Sequence, residues 1–259
     1  MNNFNISSCS GINPNRAAFF KPNEDYLIED DLHYIYILLD GVTRNKINGK
    51  YPNPSPSAIV SKLFGDEVHK KLLEYINSDY FELLKNSIFH ANKKIRNYNQ
   101  QQNNWSFLPG TVGIISIIKD GTFYYAYNGD CSGRLIRNSN IYLFTHSQTE
   151  RIHKHLHEFS SDYIRNEIVN NKKHPYCYGV FNGQPQALDL IEYGKLELQA
   201  GDKLILASDG LNPYFDSKNT AIIAETTPQH IIESTIQIES SSTTPKRSDD
   251  KAVIIINIH

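Results

Sequence analysis

The sequence predicts a single α+β domain in which helices cover the faces of antiparallel sheets. Short apolar runs rich in β-branched and aromatic residues alternate with turn residues, two longer segments have helical periodicity, and no internal repeat or linker-like break is evident. Amphipathic helices and half-buried strands both need an apolar partner surface, and packing helices on sheets provides it. We therefore treat residues 1–259 as one domain.

The individual elements follow from the same two periodicities. Residues 1–16 are polar and are interpreted as a loop or an edge segment. Strands are predicted at His33–Leu39, Thr111–Ile118, Thr122–Tyr127, Gly133–Ile136, Ala187–Tyr193, Lys203–Ser208 and Ala252–Ile258. Helices are predicted from Ser57 to Ile76, around Leu84 to Ile95, over most of Gln148–Asn171 and near Pro228–Ile238.

The composition is that of an ordinary globular protein. Hydrophobic residues make up 39% and charged residues 21% of the chain, and the formal net charge is −2. This balance gives no electrostatic footprint for nucleic acid or for an acidic membrane, so neither is predicted as a partner. Three cysteines without close pairing do not resemble a disulfide framework or a zinc motif, and no signal-peptide pattern is visible, so we expect a cytoplasmic protein.

Short acidic motifs recur at the ends of the predicted strands, next to a glycine or another turn residue. They are Leu39-Asp40-Gly41, Asn128-Gly129-Asp130, Ser208-Asp209-Gly210 and Ser248-Asp249-Asp250, and Asn23-Glu24-Asp25 precedes a short strand in the same way. Strand ends hold short side chains on rigid supports at the rim of a sheet, where several can point at one spot. An isolated Asp-Gly is, however, more often a structural turn.

Carboxylates gathered in one cleft repel one another, and divalent cations remove that repulsion. A ligand set made only of oxygen atoms suits Mg²⁺ or Mn²⁺. A water shared by two such ions about 3.5–4 Å apart loses a proton more easily and can attack phosphorus in line. The acidic motifs are therefore compatible with metal-assisted phosphoryl hydrolysis, although their spacing alone does not show that they meet.

Taken in order, the motifs resemble those of the metal-dependent protein phosphatases of type 2C, the PPM family, and a divergent bacterial-like member in particular. The matching segments are Pro22–Asp25, Leu38–Gly41, Pro109–Val112, Asn128–Arg134, Gly201–Gly210 and Ser248–Val253. The resemblance extends from about Pro22 to Ile258 and implies a four-layer αββα sandwich, in which two central antiparallel sheets are flanked by helices. It also implies hydrolysis of phosphoserine or phosphothreonine in proteins by a metal-bound hydroxide, with a serine/threonine kinase as the opposing enzyme.

The resemblance further implies which residues act. Asp40, Asp209 and Asp249 would be catalytic, and Asp40 would bridge two Mn²⁺ or Mg²⁺ ions. Asp130 matches the residue that holds a third, weaker ion in some members. The full set of implied metal ligands is Glu24, Asp25, Asp40, the Gly41 carbonyl, Asp130, Asp209 and Asp249, with Asp250 as the alternative to Asp249.

Several departures from the family pattern leave alternatives open. Phe20 occupies the place of a phosphate-binding arginine, for which Arg16, Lys21 and Arg44 are candidate substitutes. The loop after Asp40-Gly41 also lacks the usual double glycine. A catalytically inactive relative that binds a phosphoprotein or a regulatory partner is therefore the main alternative, and a phosphatase of small molecules is a third reading.

Histidines offer two further hypotheses. His146 is a candidate general acid by its position, since no other residue suggests itself for protonating the leaving alcohol. His153, His155 and His157 alternate and would share one side of a strand as metal ligands, but on a helix they spread apart and are better explained as solvated side chains.

Overall fold

The computed structural model describes residues 5–13, 22–42, 48–74, 79–102, 107–218, 220–241 and 249–259. Its strands are β1 Ile6–Asn13, β2 Tyr26–Asp30, β3 Ile35–Gly41, β4 Thr111–Lys119, β5 Thr122–Asn128, β6 Ser132–Arg137, β7 Asn140–Leu143, β8 Glu192–Glu197, β9 Lys203–Ala207 and β10 Lys251–Ile258. Its helices are α1 Pro56–Glu74, α2 Tyr80–Gln101, α3 Glu150–His153, α4 Ser161–Tyr163, α5 Asn212–Ser217, α6 Thr220–Ala224 and α7 Pro228–Ser240.

The strands form two antiparallel sheets of five strands each. The first sheet has the order β1-β10-β9-β6-β7, and the second has the order β2-β3-β4-β5-β8. Both faces of the central strands are covered, so β4 is buried from Thr111 to Ile118 and reads as a continuous apolar run rather than an alternating one.

Three apolar layers hold the sandwich together. The layer between the sheets includes Leu38, Ile114, Leu206 and Ile254. A second layer joins α1 and α2 to the outer face of the β2-to-β8 sheet, and a third joins α5 and α7 to the outer face of the other sheet. The predicted αββα arrangement is confirmed.

Local sequence explains where the long helices begin. Pro56 occupies the first turn of α1, where its missing N–H costs nothing, and the Ser55 hydroxyl accepts a hydrogen bond from the Ala58 N–H at 3.1 Å. The Asp79 carboxylate caps α2 by accepting from the Glu82 N–H at 3.0 Å. Of the helices in the described ranges, none has both the length and the apolar sequence needed to span a membrane.

Some predicted elements differ from the structure. The strand predicted at Ala187–Tyr193 is wrong over its first part, because Pro185–Leu190 forms a 3₁₀ helix and β8 starts only at Glu192. A proline at the start favours a helical turn there over a strand. The predicted strand start at His33 is also wrong, because residues 31–34 form a turn before β3.

The segment predicted as mostly helical, Gln148–Asn171, contains only short pieces. It consists of α3, a 3₁₀ turn at Leu156–Glu158, α4 and a π turn at Ile164–Ile168. Its polar composition provides no continuous apolar stripe that could bury a long helix. β7, α5 and α6 were not predicted, because each is too short to show a period.

Strand direction brings the acidic motifs to one end of the sandwich. In one sheet, Gly41 at the end of β3 pairs with Thr111 at the start of β4, and Gly113 pairs with Asn128 at the end of β5. In the other, Ala207 at the end of β9 pairs with Ser132 of β6 and Val253 of β10. Antiparallel neighbours start and end side by side, so motifs far apart in sequence share one rim.

Candidate functional site

A cleft of about 650 Å³ opens at this end of the sandwich, and we call it the carboxylate cleft. Asp40, Asp130, Asp209 and Asp249 line it together with Gly41. The structure therefore brings together five of the seven residues that the resemblance implied as metal ligands.

The other two residues lie behind the cleft and are buried. Glu24 is 0% exposed and Asp25 is 4% exposed. The Ser55 hydroxyl donates to the Glu24 carboxylate at 2.6 Å, and the Ser208 hydroxyl donates to Oδ2 of Asp25 at 3.0 Å. Each carboxylate is thus oriented by a serine that stands on a neighbouring element.

Asp249 and Asp250 occupy different positions at the start of β10. Asp249 faces the carboxylate cleft. Asp250 is buried, and its Oδ2 accepts a hydrogen bond from the Glu24 N–H at 3.0 Å. The two side chains thus point to different partners, and Asp250 links the start of β10 to the segment that carries Glu24 and Asp25.

Backbone contacts fix the strand ends around the cleft. The Thr111 hydroxyl donates to the carbonyl oxygen of Asp40 at 2.9 Å, which ties the end of β3 to the Gly-Thr motif of β4. Gly41 packs so closely on the preceding acidic segment that a Cβ on it would lie 2.6 Å from the Glu24 Cβ. Close packing therefore favours glycine at position 41, and the hydrogen bond to the Asp40 carbonyl favours threonine at position 111.

Burial and mutual repulsion perturb the carboxylates. Burial raises the pKa of Asp25 well above its usual range, and the charge of Asp250 adds to the effect. Burial also raises the pKa of Asp40 well above its usual range, followed by the charges of Asp25 and Asp209. The pKa of Asp130 is raised by burial as well, against opposing contributions from a Thr149 hydrogen bond and from His153.

The donor chemistry of this site fits hard divalent cations. One buried oxygen, Oδ1 of Asp25, accepts no hydrogen bond from any residue that the structure describes. The surrounding side chains offer carboxylate oxygens, which Mg²⁺ and Mn²⁺ prefer. Within the described ranges no group of three or more His, Cys, Asp or Glu side chains is placed so that it could hold a metal ion. A cation that keeps several of its waters, as Mg²⁺ does, is compatible with such an open arrangement.

The opposite wall of the carboxylate cleft comes from the segment 149–184, in which the sequence suggested only the alternating histidines as possible functional residues. Arg165 is the one arginine or lysine among the cleft residues that the structure describes. Its guanidinium lies over the ring of Phe107, 3.9 Å from the ring centroid. His153 and Leu156 also line this wall. No motif identifies Arg165, because it is placed by tertiary packing. Arg16, Lys21 and Arg44, the substitutes suggested for the phosphate-binding arginine, lie outside the described residues.

Among the histidines that the sequence singled out, His153 lines the carboxylate cleft. His146 does not line it, and its Nδ1 is 2.8 Å from the Tyr127 hydroxyl. His155 stacks on Tyr176 and bonds to Glu158 at 2.7 Å, so the alternating histidines do not act as one set. Burial, with the charge of Asp40, raises the pKa of the Cys131 thiol well above its usual range, and such a thiol is a poor nucleophile.

Comparison with known proteins gives matches in structure. No family model and no curated protein matches the sequence. The serine/threonine phosphatase PstP/Ppp of Mycobacterium tuberculosis matches with a TM-score of 0.70 and 15% identity, over 98% of this chain and 99% of that chain. PppA of Pseudomonas aeruginosa, a regulatory component of its type VI secretion system, matches with a TM-score of 0.69 and 16% identity, over 98% of both chains.

A further match is the catalytic domain of PstP in complex with two manganese ions. Its TM-score is 0.67 and its identity is 14%, over 99% of both chains. At such identities the similarity establishes the fold. The chain has the fold of the PPM serine/threonine phosphatases over nearly its whole length, and the predicted structural resemblance is confirmed.

Proposed function

Because the chain has the fold of these phosphatases, we propose that it hydrolyses phosphoserine and phosphothreonine in proteins with the help of divalent cations. The observation that supports this most directly is the convergence of Asp40, Asp130, Asp209 and Asp249 on one cleft, from strand ends of both sheets. A serine/threonine kinase would then supply the phosphorylated substrate.

We propose that Asp40, Asp209 and Asp249 hold two Mn²⁺ or Mg²⁺ ions, with Glu24, Asp25 and the Gly41 carbonyl supporting the second ion and Asp130 a third. Such ions neutralise the charge of the phosphate and acidify a water for attack on phosphorus. Ser208 and Ser55 orient Asp25 and Glu24. Thr111 fixes the carbonyl end of β3. These contacts would hold the carboxylates in place for such ions.

We also propose that Arg165 binds a phosphate oxygen of the substrate. It lies in the same cleft as the carboxylates, and stacking on Phe107 limits the orientations of its guanidinium. Arginine presents a planar fork of donors that matches phosphate. This residue would supply the positive charge that Phe20 cannot supply. Replacing Arg165 with alanine is expected to raise the Michaelis constant for a phosphopeptide by about tenfold, whereas lysine restores part of the loss.

The primary test is metal-dependent turnover. A phosphothreonine peptide and p-nitrophenyl phosphate are incubated with Mn²⁺ or Mg²⁺, and then with excess chelator. We expect release of phosphate that the chelator abolishes. Asp40→Asn and Asp209→Asn are each expected to reduce kcat by roughly 10²-fold or more, because each removes a charged ligand. Asp120→Asn is the matched control, since Asp120 is exposed in the β4–β5 turn at a positive φ that asparagine tolerates.

Circular dichroism of each variant shows whether lost activity reflects lost folding. Full activity in folded Asp40→Asn and Asp209→Asn would contradict the proposal. Turnover of p-nitrophenyl phosphate and small phosphate esters without turnover of phosphopeptides would favour a phosphatase of small molecules.

The alternative of an inactive phosphoprotein-binding relative has one specific observation in its favour. In the described part of the chain, no group of three or more His, Cys, Asp or Glu side chains is placed so that it could hold a metal ion. Isothermal titration with Mn²⁺ and with a phosphopeptide separates the two functions. Phosphopeptide binding by folded protein without turnover at any metal concentration would establish the binding function.

A further inference from the structure

A second cavity, of about 390 Å³, lies on the outer face of α2 where the segment 183–188 packs against it. We call it the α2 groove. Its walls include Phe89, Lys93 and Arg96 from the helix, and Pro185 and Leu188 from the segment. It lies outside the carboxylate cleft, and none of the described residues that line it is acidic.

The α2 groove combines apolar surface with positive charge. Phe89 is 48% exposed, although it faces a groove that also contains Leu188. The side chains of Lys93 and Arg96 are exposed, and neither makes an ion pair or a hydrogen bond with any residue in the described ranges. The neighbouring Lys94, by contrast, is paired with Glu67 at 2.7 Å. Two cations are thus presented to solvent beside an apolar floor.

One short segment separates the α2 groove from the carboxylate cleft. Asn182 and Gln184 line the cleft, whereas Gly183 and Pro185 line the groove. The segment is anchored to the helix by Asn92, whose Oδ1 accepts from the Gly183 N–H at 2.9 Å. Its Nδ2 donates to the Gln184 carbonyl at 3.0 Å. A polypeptide that reaches from the cleft across this segment enters the groove directly.

We propose that the α2 groove docks an acidic segment of the phosphoprotein substrate, with Lys93 and Arg96 contacting its carboxylates and Phe89 and Leu188 contacting an apolar side chain between them. The proposal rests on the proposed phosphatase function for the identity of the occupant. Charge complementarity favours an acidic chain, because both cations face the groove and the described part of its lining contains no opposing charge. Two cations on an apolar floor fit a peptide better than a nucleic acid, whose binding relies on many phosphate contacts.

The first experiment compares two phosphothreonine peptides in the presence of Mn²⁺. One carries glutamates around a leucine beside the phosphothreonine, and the other has glutamine in place of each glutamate. We expect the acidic peptide to have the higher kcat/KM, and the preference to weaken at high salt. Lys93→Glu combined with Arg96→Glu is expected to lower kcat/KM for the acidic peptide by about tenfold, mainly through KM.

The same double variant is expected to hydrolyse p-nitrophenyl phosphate at the rate of the unmodified protein, because neither residue lines the cleft. Lys85→Glu combined with Lys195→Glu changes the net charge equally at exposed positions outside the groove and is the matched control. Equal kcat/KM values for the two peptides, or an equal loss in the control variant, would overturn the docking proposal while leaving the phosphatase function intact.

The second experiment does not depend on turnover. Fluorescence anisotropy measures binding of the labelled acidic peptide without its phosphate to the unmodified protein, the double variant and Phe89→Ala. We expect binding by the unmodified protein and weaker binding by both variants. Binding without any hydrolysis of phosphopeptides would support the groove and contradict the phosphatase function. Absence of binding, or equal binding of an oligonucleotide, would overturn the docking proposal.

Discussion

At the residue scale, Gly210 shows how tightly the acidic motifs meet. It follows Asp209, and a Cβ at this position would lie only 1.9 Å from the carbonyl oxygen of Asp250. Such a contact is far below any van der Waals distance and involves backbone, so the start of β10 would have to move. The glycine of the Ser-Asp-Gly motif is therefore what lets Asp209 and Asp249 share a cleft.

Gly210→Ala is expected to displace Asp249 and to reduce both activity and stability. A forced backbone shift in a packed site costs about 1–3 kcal/mol, and we expect a loss of that size in the free energy of unfolding. Urea unfolding and phosphopeptide turnover measure the two effects. Gly201→Ala serves as the control. Its φ of +89° gives the alanine backbone strain, but the new Cβ would meet no atom within 4 Å, so this variant separates strain from the clash. Normal activity in Gly210→Ala would contradict this account.

The sequence predicted the acidic residues of the carboxylate cleft far better than the residues of its opposite wall. Asp40, Asp130 and Asp209 each stand in a turn motif next to a strand, and strand ends can be recognised locally. Arg165 has no such signal, since it lies in a π turn and reaches the carboxylate cleft only through the packing of the segment 149–184. Position in a cleft is a tertiary property, and a single sequence contains no direct record of it.

At the element scale, buried asparagines of α2 fasten the segment that divides the two cavities. Asn99 donates to the carbonyl oxygens of Pro109 and Asn182 at 3.1 and 2.9 Å, and Asn92 bonds Gly183 and Gln184. Asn92 and Asn99 are seven residues apart, which places them on one face of the helix. Of the backbone groups that Asn92 contacts, the Gln184 carbonyl also accepts from the Ala187 N–H at 3.2 Å, whereas the Gly183 N–H has no other partner among the described residues.

Asn92→Ala is expected to destabilise the protein by about 1–3 kcal/mol, because the buried Gly183 N–H loses its partner, while the Gln184 carbonyl keeps the hydrogen bond from the Ala187 N–H. Thermal unfolding gives the stability change, and turnover of a phosphopeptide shows whether the displaced segment disturbs the carboxylate cleft. Asn86→Ala, on the exposed face of the same helix, should have almost no effect or a slightly favourable one. Equal stabilities of the two variants would contradict the anchoring role.

A second link joins α1 to the turn between β2 and β3. Asp30 accepts from His69 of α1 at 2.7 Å and from His33 at 2.9 Å. Burial alone would raise the pKa of Asp30, but the hydrogen bonds from His69 and His33 outweigh it and leave the pKa lowered. A carboxyl with a lowered pKa in the folded protein stabilises it when ionised, and this contribution is lost as the pH falls through that pKa.

Asp30→Asn is therefore expected to lower the free energy of unfolding at neutral pH by about 1 kcal/mol, the usual value for a partly exposed charge-assisted contact. The contribution of Asp30 is fully present above its ordinary unfolded pKa of about 3.9 and disappears below the lowered folded value. Urea unfolding of both proteins from neutral to acidic pH tests the sign. A difference between them that grows as the pH falls would contradict it.

Helices with a clear apolar stripe and strands with long apolar runs were predicted well, whereas short elements were not. α1, α2 and β4 each present enough residues to reveal a period. β7 has four residues, and the pairing of Ile141 with Ile136 of β6 fixes it instead. Elements of this length form because a neighbour supplies hydrogen bonds, which is information outside their own sequence.

At the scale of the whole molecule, clustered carboxylates connect metal binding to stability. Burial and mutual repulsion raise the pKa values of Asp25 and Asp40, so charge in the carboxylate cleft disfavours the folded state unless cations neutralise it. Ligands that bind only the folded protein stabilise it in proportion to the logarithm of their concentration.

Mn²⁺ at about one hundred times its dissociation constant is expected to stabilise the protein by about 2.7 kcal/mol. Differential scanning calorimetry should show a rise in Tm that excess chelator reverses. Asp209→Asn should reduce the rise, whereas Asp120→Asn should retain it. A Tm that is independent of Mn²⁺ in the unmodified protein would contradict metal binding by the folded chain.

The acidic residues of the carboxylate cleft stand on different sheets, with Asp40 near the end of β3 and Asp209 two residues after the end of β9. The distance between them therefore depends on how the two sheets pack against each other. The layer between the sheets includes Leu38, Ile114, Leu206 and Ile254. A change in side-chain shape in that layer would shift one sheet sideways relative to the other, and the shift would move the acidic residues of the cleft. A substitution in this buried layer, remote from solvent, would therefore change the spacing between the carboxylates before it causes any loss of the fold.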